Sequence, residues 1–154
     1  MRPISYVRWL YKGKTIRGWL GPGKGIGEED GATCPYQEAR TVTPPFAEYP
    51  SGHSTFSRAA SEVFMRFAGT DAFKTALTVT MAAGSSTIEP GLVPRDDIRF
   101  RFTSFTAAAD HAGKSRRYGG IHFEDGDLQG RSVGHQVGSA VWAKALTYFN
   151  GTAS

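Results

Sequence analysis

The chain has one cysteine, Cys34, in 154 residues. That excludes an internal disulfide framework and any zinc cluster built on cysteine. No apolar run approaches the roughly 18 residues that a membrane span needs, and Met1-Arg2-Pro3 opens no apolar signal-peptide core. The expectation is a soluble chain without a membrane span or a signal peptide. Internal repeats are absent, as is low-complexity sequence outside one glycine-rich stretch. Acidic residues are in deficit, 14 Asp+Glu against 18 Lys+Arg, for a net charge of +4. An anionic partner suits such a balance. The tight basic clusters, Lys12–Arg17 and Lys114–Arg117, carry no interleaved aromatics, so nucleic acid is not the expected partner.

What is present describes a globular chain. Hydrophobic residues make up 40%, with ten Phe and three Trp, which argues against intrinsic disorder. The length fits one domain, taken as residues 1–154. Pro3 opens a short helix to Tyr11. The stretch from Lys12 to Tyr49, rich in Gly and Pro, reads as a long loop of the kind that is usually functional. A helix over 54–68 repeats Phe56, Ala60, Val63, Phe64 and Phe67 at three and four residues, sets Arg58, Ser61 and Arg66 on other faces, and stops at Gly69. Alternation predicts strands at 77–81 and 98–102, paired as a hairpin. Thr103 is the expected cap of a helix to Gly113, and Glu124, Asp125 and Asp127 suit the start of a last helix over 127–149. That helix carries Gly130, Gly134 and Gly138 four residues apart. Each glycine weakens a helix by about 1 kcal/mol, so the stripe predicts close approach by another backbone. The fold class is mainly α with a minor β-hairpin.

Two segments could carry chemistry. Tyr49-Pro50-Ser51-Gly52-His53-Ser54 stands just before a helix, where backbone N–H groups and the Ser51 hydroxyl offer an oxyanion site and His53 an acid or base. Ser115-Arg116-Arg117-Tyr118-Gly119-Gly120-Ile121-His122 places an arginine and an imidazole on either side of a Gly-Gly turn. Arg117 is expected to be solvated. Alone, each segment is also readable as a helix cap with a surface histidine or a solvated basic turn.

Together the segments resemble the active-site signature shared by vanadium-dependent haloperoxidases and type 2 phosphatidic acid phosphatases. That signature is Lys, six residues, Arg-Pro; then Pro-Ser-Gly-His; then Ser-Arg, five residues, His. Arg2-Pro3 matches the end of the first part, Pro50 to His53 the second, and Ser115-Arg116 with His122 the third. The flanks Pro45-Phe46-Ala47-Glu48-Tyr49 and Tyr118-Gly119-Gly120-Ile121-His122-Phe123 are most similar to the soluble bacterial haloperoxidase-like branch. The resemblance implies a helical bundle, here the C-terminal catalytic part of a larger unit. It implies vanadate, or phosphate in the same site, held by Arg2, Ser51, the Gly52 N–H and Arg116. His122 would bind vanadium or, in a phosphatase, act as the nucleophile, and His53 would be the acid/base. Hydrogen peroxide and halide are the implied partners of the haloperoxidase. Phe46 falls where chloroperoxidases have Phe and would line the halide pocket.

The sequence departs from the signature in three places. The Lys would stand seven positions before Arg2, ahead of Met1, and is not in this chain. Losing one charge-assisted hydrogen bond to a buried anion costs about 1.5–3 kcal/mol, so weak vanadate binding is expected. The Asp that orients the last histidine is replaced by Gly126, leaving Asp125 or Asp127 for that task. The further helices of related folds lie upstream, so an additional segment or a protein partner is expected to complete the bundle. A phosphatase, and a non-enzymatic subunit with a decayed site, are the alternative readings. Of the other histidines, His111 is expected to be exposed and His135 to lie on the surface or in packing. Cys34 is a bland thiol.

Overall fold

The computed structural model describes residues 1–32 and 43–153, so Cys34 lies outside the described residues. The elements run α1 (Pro3–Leu10), β1 (Thr15–Trp19), β2 (Ile26–Asp30), α2 (Gly52–Ala68), β3 (Ala72–Met81), β4 (Ile98–Ser104), α3 (Phe105–Tyr118) and α4 (Glu124–Phe149). The chain is mainly α, as the periodicity predicts. Two compact units divide it: one of Met1–Glu48, Thr78–Arg101 and Gly119–Ile121, the other of Tyr49–Leu77, Phe102–Tyr118 and His122–Ser154. No helix among the described residues is long and apolar enough to cross a membrane.

In the first unit, Pro3 stands at the start of α1, and the Arg2 carbonyl accepts the Ser5 and Tyr6 N–H groups at 3.1 and 3.0 Å. The loop expected from Lys12 onward instead contains an antiparallel hairpin, with Thr15 opposite Asp30 and Trp19 opposite Ile26. Glycines at 21, 23 and 25 have positive φ and turn the chain between the strands. Alternation hides here for a physical reason. The half-buried face is Ile16, Gly18, Gly27 and Glu29, so two of its positions carry no side chain and one is acidic. The predicted pair at 77–81 and 98–102 is present as β3 and β4, a separate two-stranded sheet.

In the second unit, α2 packs against α3 and α4. The Ser51 side chain caps α2 by accepting the Ser54 N–H, and Gly69 closes it in the left-handed conformation. Helix α3 starts two residues later than expected. Ser104, not Thr103, accepts the Ala107 N–H at 3.0 Å, while Asp71 takes that of Thr106 at 2.9 Å. Helix α4 begins at Glu124, so all three acidic residues lie in its first turn. Gly130, Gly134 and Gly138 are buried, and a Cβ on any of them would meet the α2 backbone at Ser51, Thr55 or Ala59.

The burial of α2 reverses its hydrophobic pattern. Its buried residues are Ser54, Ser61 and Glu62, whereas Phe56 and Phe67 are 74% and 76% exposed. Among the described residues the buried hydrophobic core reduces to Ala109, itself 6% exposed. Aromatic contacts such as Phe73 edge-on to Phe105, with centroids 4.6 Å apart, cover part of the remainder. His111 is half-buried rather than exposed, its ring 5.1 Å from that of Phe102.

These contacts reverse the usual sign of a glycine substitution in a helix. Gly134→Ala should gain up to about 1 kcal/mol in propensity. The new Cβ, however, would press on the Thr55 carbonyl, the Ala59 nitrogen and the Arg58 side chain. Net destabilisation of about 1–3 kcal/mol is expected, read as a lower urea midpoint. A variant as stable as the parent would show that α4 does not lie against the α2 backbone.

Candidate functional site

The second unit holds Pro50–His53, Ser115–Tyr118 and His122, while Gly119–Ile121 belong to the first. Pro50 follows a cis peptide bond, and Ser51 is fully buried at the cap of α2. Its N–H donates to the Gly126 carbonyl at 2.9 Å, tying the turn to the start of α4. Ser51 Oγ accepts the Ser54 N–H at 3.3 Å and lies 2.9 Å from Ser54 Oγ. Ser54 Oγ in turn lies 2.7 Å from Asp127 Oδ1.

Asp127 is fully buried on the first turn of α4 and gripped by Arg131 one turn on, Nε to Oδ1 at 2.9 Å and Nη2 to Oδ2 at 2.7 Å. Arg131 also reaches Asp110 of α3, both carbonyl and carboxylate, at 3.0 and 3.1 Å. Burial alone would raise the Asp127 pKa, but the hydrogen bonds from Arg131 and Ser54 and the charges of Arg131 and Arg117 hold it below the usual carboxylate value. Gly113 of α3 makes room for this network, since a Cβ there would collide with Asp127 and Ser54. Asp125 is exposed, and Asp127 turns its carboxylate to Ser54 and Arg131.

His53 starts α2 with an exposed ring, while His122 is only 4% exposed. The His53 pKa is lowered, first by partial desolvation, then by the positive charge of Arg116 and by His122. The structure therefore brings His53, Arg116 and His122 within electrostatic reach of one another. Arg116, on the last turn of α3, has its Nε buried and without a hydrogen-bond partner among the described residues. A buried guanidinium donor left unpaired is costly unless an acceptor takes it. Arg117 is not simply solvated: its Nη2 donates to Glu124 at 2.7 Å. Gly52 is half-buried in the first turn of α2. Arg2, half-buried ahead of α1, and exposed Phe46 both belong to the first unit.

A second buried acid, Glu62, lies mid-helix in α2. It accepts from Arg58 at 2.8 Å, lies 2.6 Å from His135 Nδ1 and 3.5 Å from Arg66. His135 is thus a surface residue with a buried partner.

The match to known proteins is now decisive. A family model described as the VCPO second helical-bundle domain matches residues 1–151. The chain belongs to the VCPO second helical-bundle domain family. The chain is similar to the solved apo-type bacterial vanadium-dependent chloroperoxidase, with a TM-score of 0.80, 27% identity, and coverage of 92% of this chain and 30% of that one. The holo-type structure gives the same TM-score and identity over 92% of this chain and 29% of that one. The VCPO-type domain thus spans about 30% of the length of the chloroperoxidases it matches. No curated protein matches the chain.

Within this VCPO-type domain, sequence reading gave no role to Ser54 or Arg131. Their signals are local: a serine three residues after the capping serine, and an arginine four after Asp127 on one helix face. Among the described residues no group of three or more His, Cys, Asp or Glu could hold a metal ion by itself. Vanadate, an anion, needs a different donor set, one of cations and N–H or O–H groups. The buried unpaired Arg116 Nε, beside His53 and His122, fits such a group.

Because the Asp127 pKa is lowered in the fold, its contribution to stability is present above the unfolded value near 3.8 and is lost as pH falls through the folded value. Arg131→Gln should raise that folded pKa and leave Asp127 buried without its strongest partner. Stability near neutrality should drop by about 3 kcal/mol, and acid unfolding should begin at higher pH. Denaturation measured across pH checks both. An unchanged acid limb would mean the pair does not hold Asp127 ionised.

Proposed function

We propose that the chain is the vanadate-holding catalytic part of a haloperoxidase that oxidises halide with hydrogen peroxide. The observation that carries this reading is the buried Arg116 Nε, unpaired among the described residues, next to His53 and His122. An oxyanion supplies the missing acceptor. Ser51, the Gly52 N–H and Arg116 would donate to its oxygens, and His122 would ligate vanadium through its imidazole. Bound vanadate would supply a Lewis-acidic centre that activates hydrogen peroxide toward halide. The chain's own part is electrostatic: fixed donors stabilise negative charge without reorganising. His53, its pKa lowered by partial desolvation and then by Arg116, is neutral near neutral pH and has a ring nitrogen able to accept a proton.

The exposed aromatic residues support the wider reading that this domain works as one bundle of a longer catalytic unit, or beside a partner that covers them. Phe56, Phe67, Trp9 and Phe149 are each more than two-thirds exposed. Surface of that kind usually marks an interaction site.

Vanadate titration followed by NMR of the histidine rings tests the site, with a halide-dependent peroxide assay beside it. Vanadate should raise the His53 pKa, because added negative charge favours the imidazolium. Arg116→Gln should raise it in the free chain, by removing a cation. The same variant should weaken vanadate binding about 10- to 100-fold, the worth of a charge-assisted hydrogen bond. His122→Ala should abolish any vanadate- and halide-dependent turnover. Unaltered vanadate affinity in Arg116→Gln would sink the proposal. Hydrolysis of a phosphomonoester without peroxidase activity would move the chain to the phosphatase reading.

A further inference from the structure

The serine of the anion turn is not a free donor, and a count of protons shows why. Ser54 Oγ carries one proton and has two close oxygen neighbours, Asp127 Oδ1 at 2.7 Å and Ser51 Oγ at 2.9 Å. Asp127 is fully buried and receives two hydrogen bonds from Arg131, an arrangement that belongs to an ionised carboxylate. An ionised carboxylate only accepts. The Ser54 proton therefore goes to Asp127. Ser54 Oγ is then the acceptor across the 2.9 Å contact, and the Ser51 hydroxyl donates to it. Ser51 and Ser54 are both 0% exposed, so water does not compete, and an oxyanion reaches the Ser51 hydroxyl only once the atoms covering it move aside.

We propose that Ser54, held by Asp127, is a positioning residue that latches the Ser51 hydroxyl while the site is empty and hands it over when an oxyanion arrives. The inference rests on the reading of the Pro-Ser-Gly-His turn as an oxyanion site. To donate to an anion, Ser51 must turn its proton away from Ser54. The two oxygens would then face each other with no proton between them. Ser54 relieves this by turning its own proton from Asp127 to Ser51. Asp127 tolerates the loss because both Arg131 bonds remain. No covalent bond is made or broken; two hydroxyl protons rotate. The latch satisfies a buried donor in the empty state, and anion binding gives up one hydrogen bond in return. Gly113 and Gly130 are part of the device, since a Cβ on either would strike Ser54.

The two roles leave opposite signs, which a merely structural serine would not. Four chains are compared: the full chain, Ser54→Ala, Ser51→Ala and the double variant. Urea unfolding is measured without anion, and vanadate affinity by titration calorimetry. Ser54→Ala should unfold more readily than the parent yet bind vanadate about 2- to 10-fold more tightly, since one hydrogen bond no longer opposes the hand-over. In the Ser51→Ala background the tightening should vanish. The two unfolding effects should be less than additive, because both single changes remove the same hydrogen bond between the serines. Additive unfolding effects would overturn the latch whether or not the site binds vanadate. Weaker or unchanged vanadate binding in Ser54→Ala, or tightening that persists without Ser51, would overturn the hand-over. Absence of vanadate binding in all four chains, with the non-additivity intact, would overturn the oxyanion reading and the hand-over with it, leaving only the resting bond between the serines.

Discussion

Backbone contact between α2 and α4 is the constraint on which the second unit depends. Gly130, Gly134 and Gly138 remove the side chains that would hold the helices apart. At that distance the Ser51 N–H reaches the Gly126 carbonyl and the Ser54 hydroxyl reaches Asp127. Helices separated by ordinary side chains lie 8–10 Å apart, and bonds this short between their first turns would not form. The glycines weaken α4 as an isolated helix, and the fold tolerates the loss because three polar anchors lie along the same seam. Those anchors are the bond from the Ser51 N–H to the Gly126 carbonyl, the Ser54–Asp127–Arg131 network and the Glu62–His135 pair.

That seam explains why the interior is polar. Charges buried this deeply need partners. Asp127 has them in Arg131 and Ser54, and Glu62 in Arg58 and His135 on Oε1, while its Oε2 makes no hydrogen bond among the described residues. The apolar residues of α2 face the other way. A free-standing domain usually places Phe inside, and here Phe56, Phe64 and Phe67 lie largely outside. The chain belongs to the VCPO second helical-bundle family and spans about 30% of the length of the chloroperoxidases it matches.

Much of this was legible in the sequence, but unevenly. Periodicity located α2 and α4 to within three residues, and the glycine stripe announced close packing because helical glycine is otherwise a loss. Periodicity also marked an apolar face on α2 without saying which way it points, and it points outward. The hairpin at 15–30 escaped because Gly18 and Gly27 erase the alternation that would betray it. Motif spacing picked out His53, Arg116 and His122, which the structure brings within electrostatic reach of one another. Ser54 and Arg131 were harder to see. A serine at the third position of a helix and an arginine paired with an acid four residues earlier are ordinary helix features, and only the fold sets them around one carboxylate.

The central claim is that the buried Arg116 Nε, unpaired among the described residues, awaits an oxyanion. Nitrogen-15 NMR of the arginine Nε–H groups addresses it directly, with Arg116→Lys used to assign the resonance. On addition of vanadate, the account predicts a large downfield shift of the Arg116 Nε–H proton and its protection from exchange. The Arg131 Nε–H, already bonded to Asp127, should stay in place. An Arg116 resonance that does not move at saturating vanadate would contradict the account.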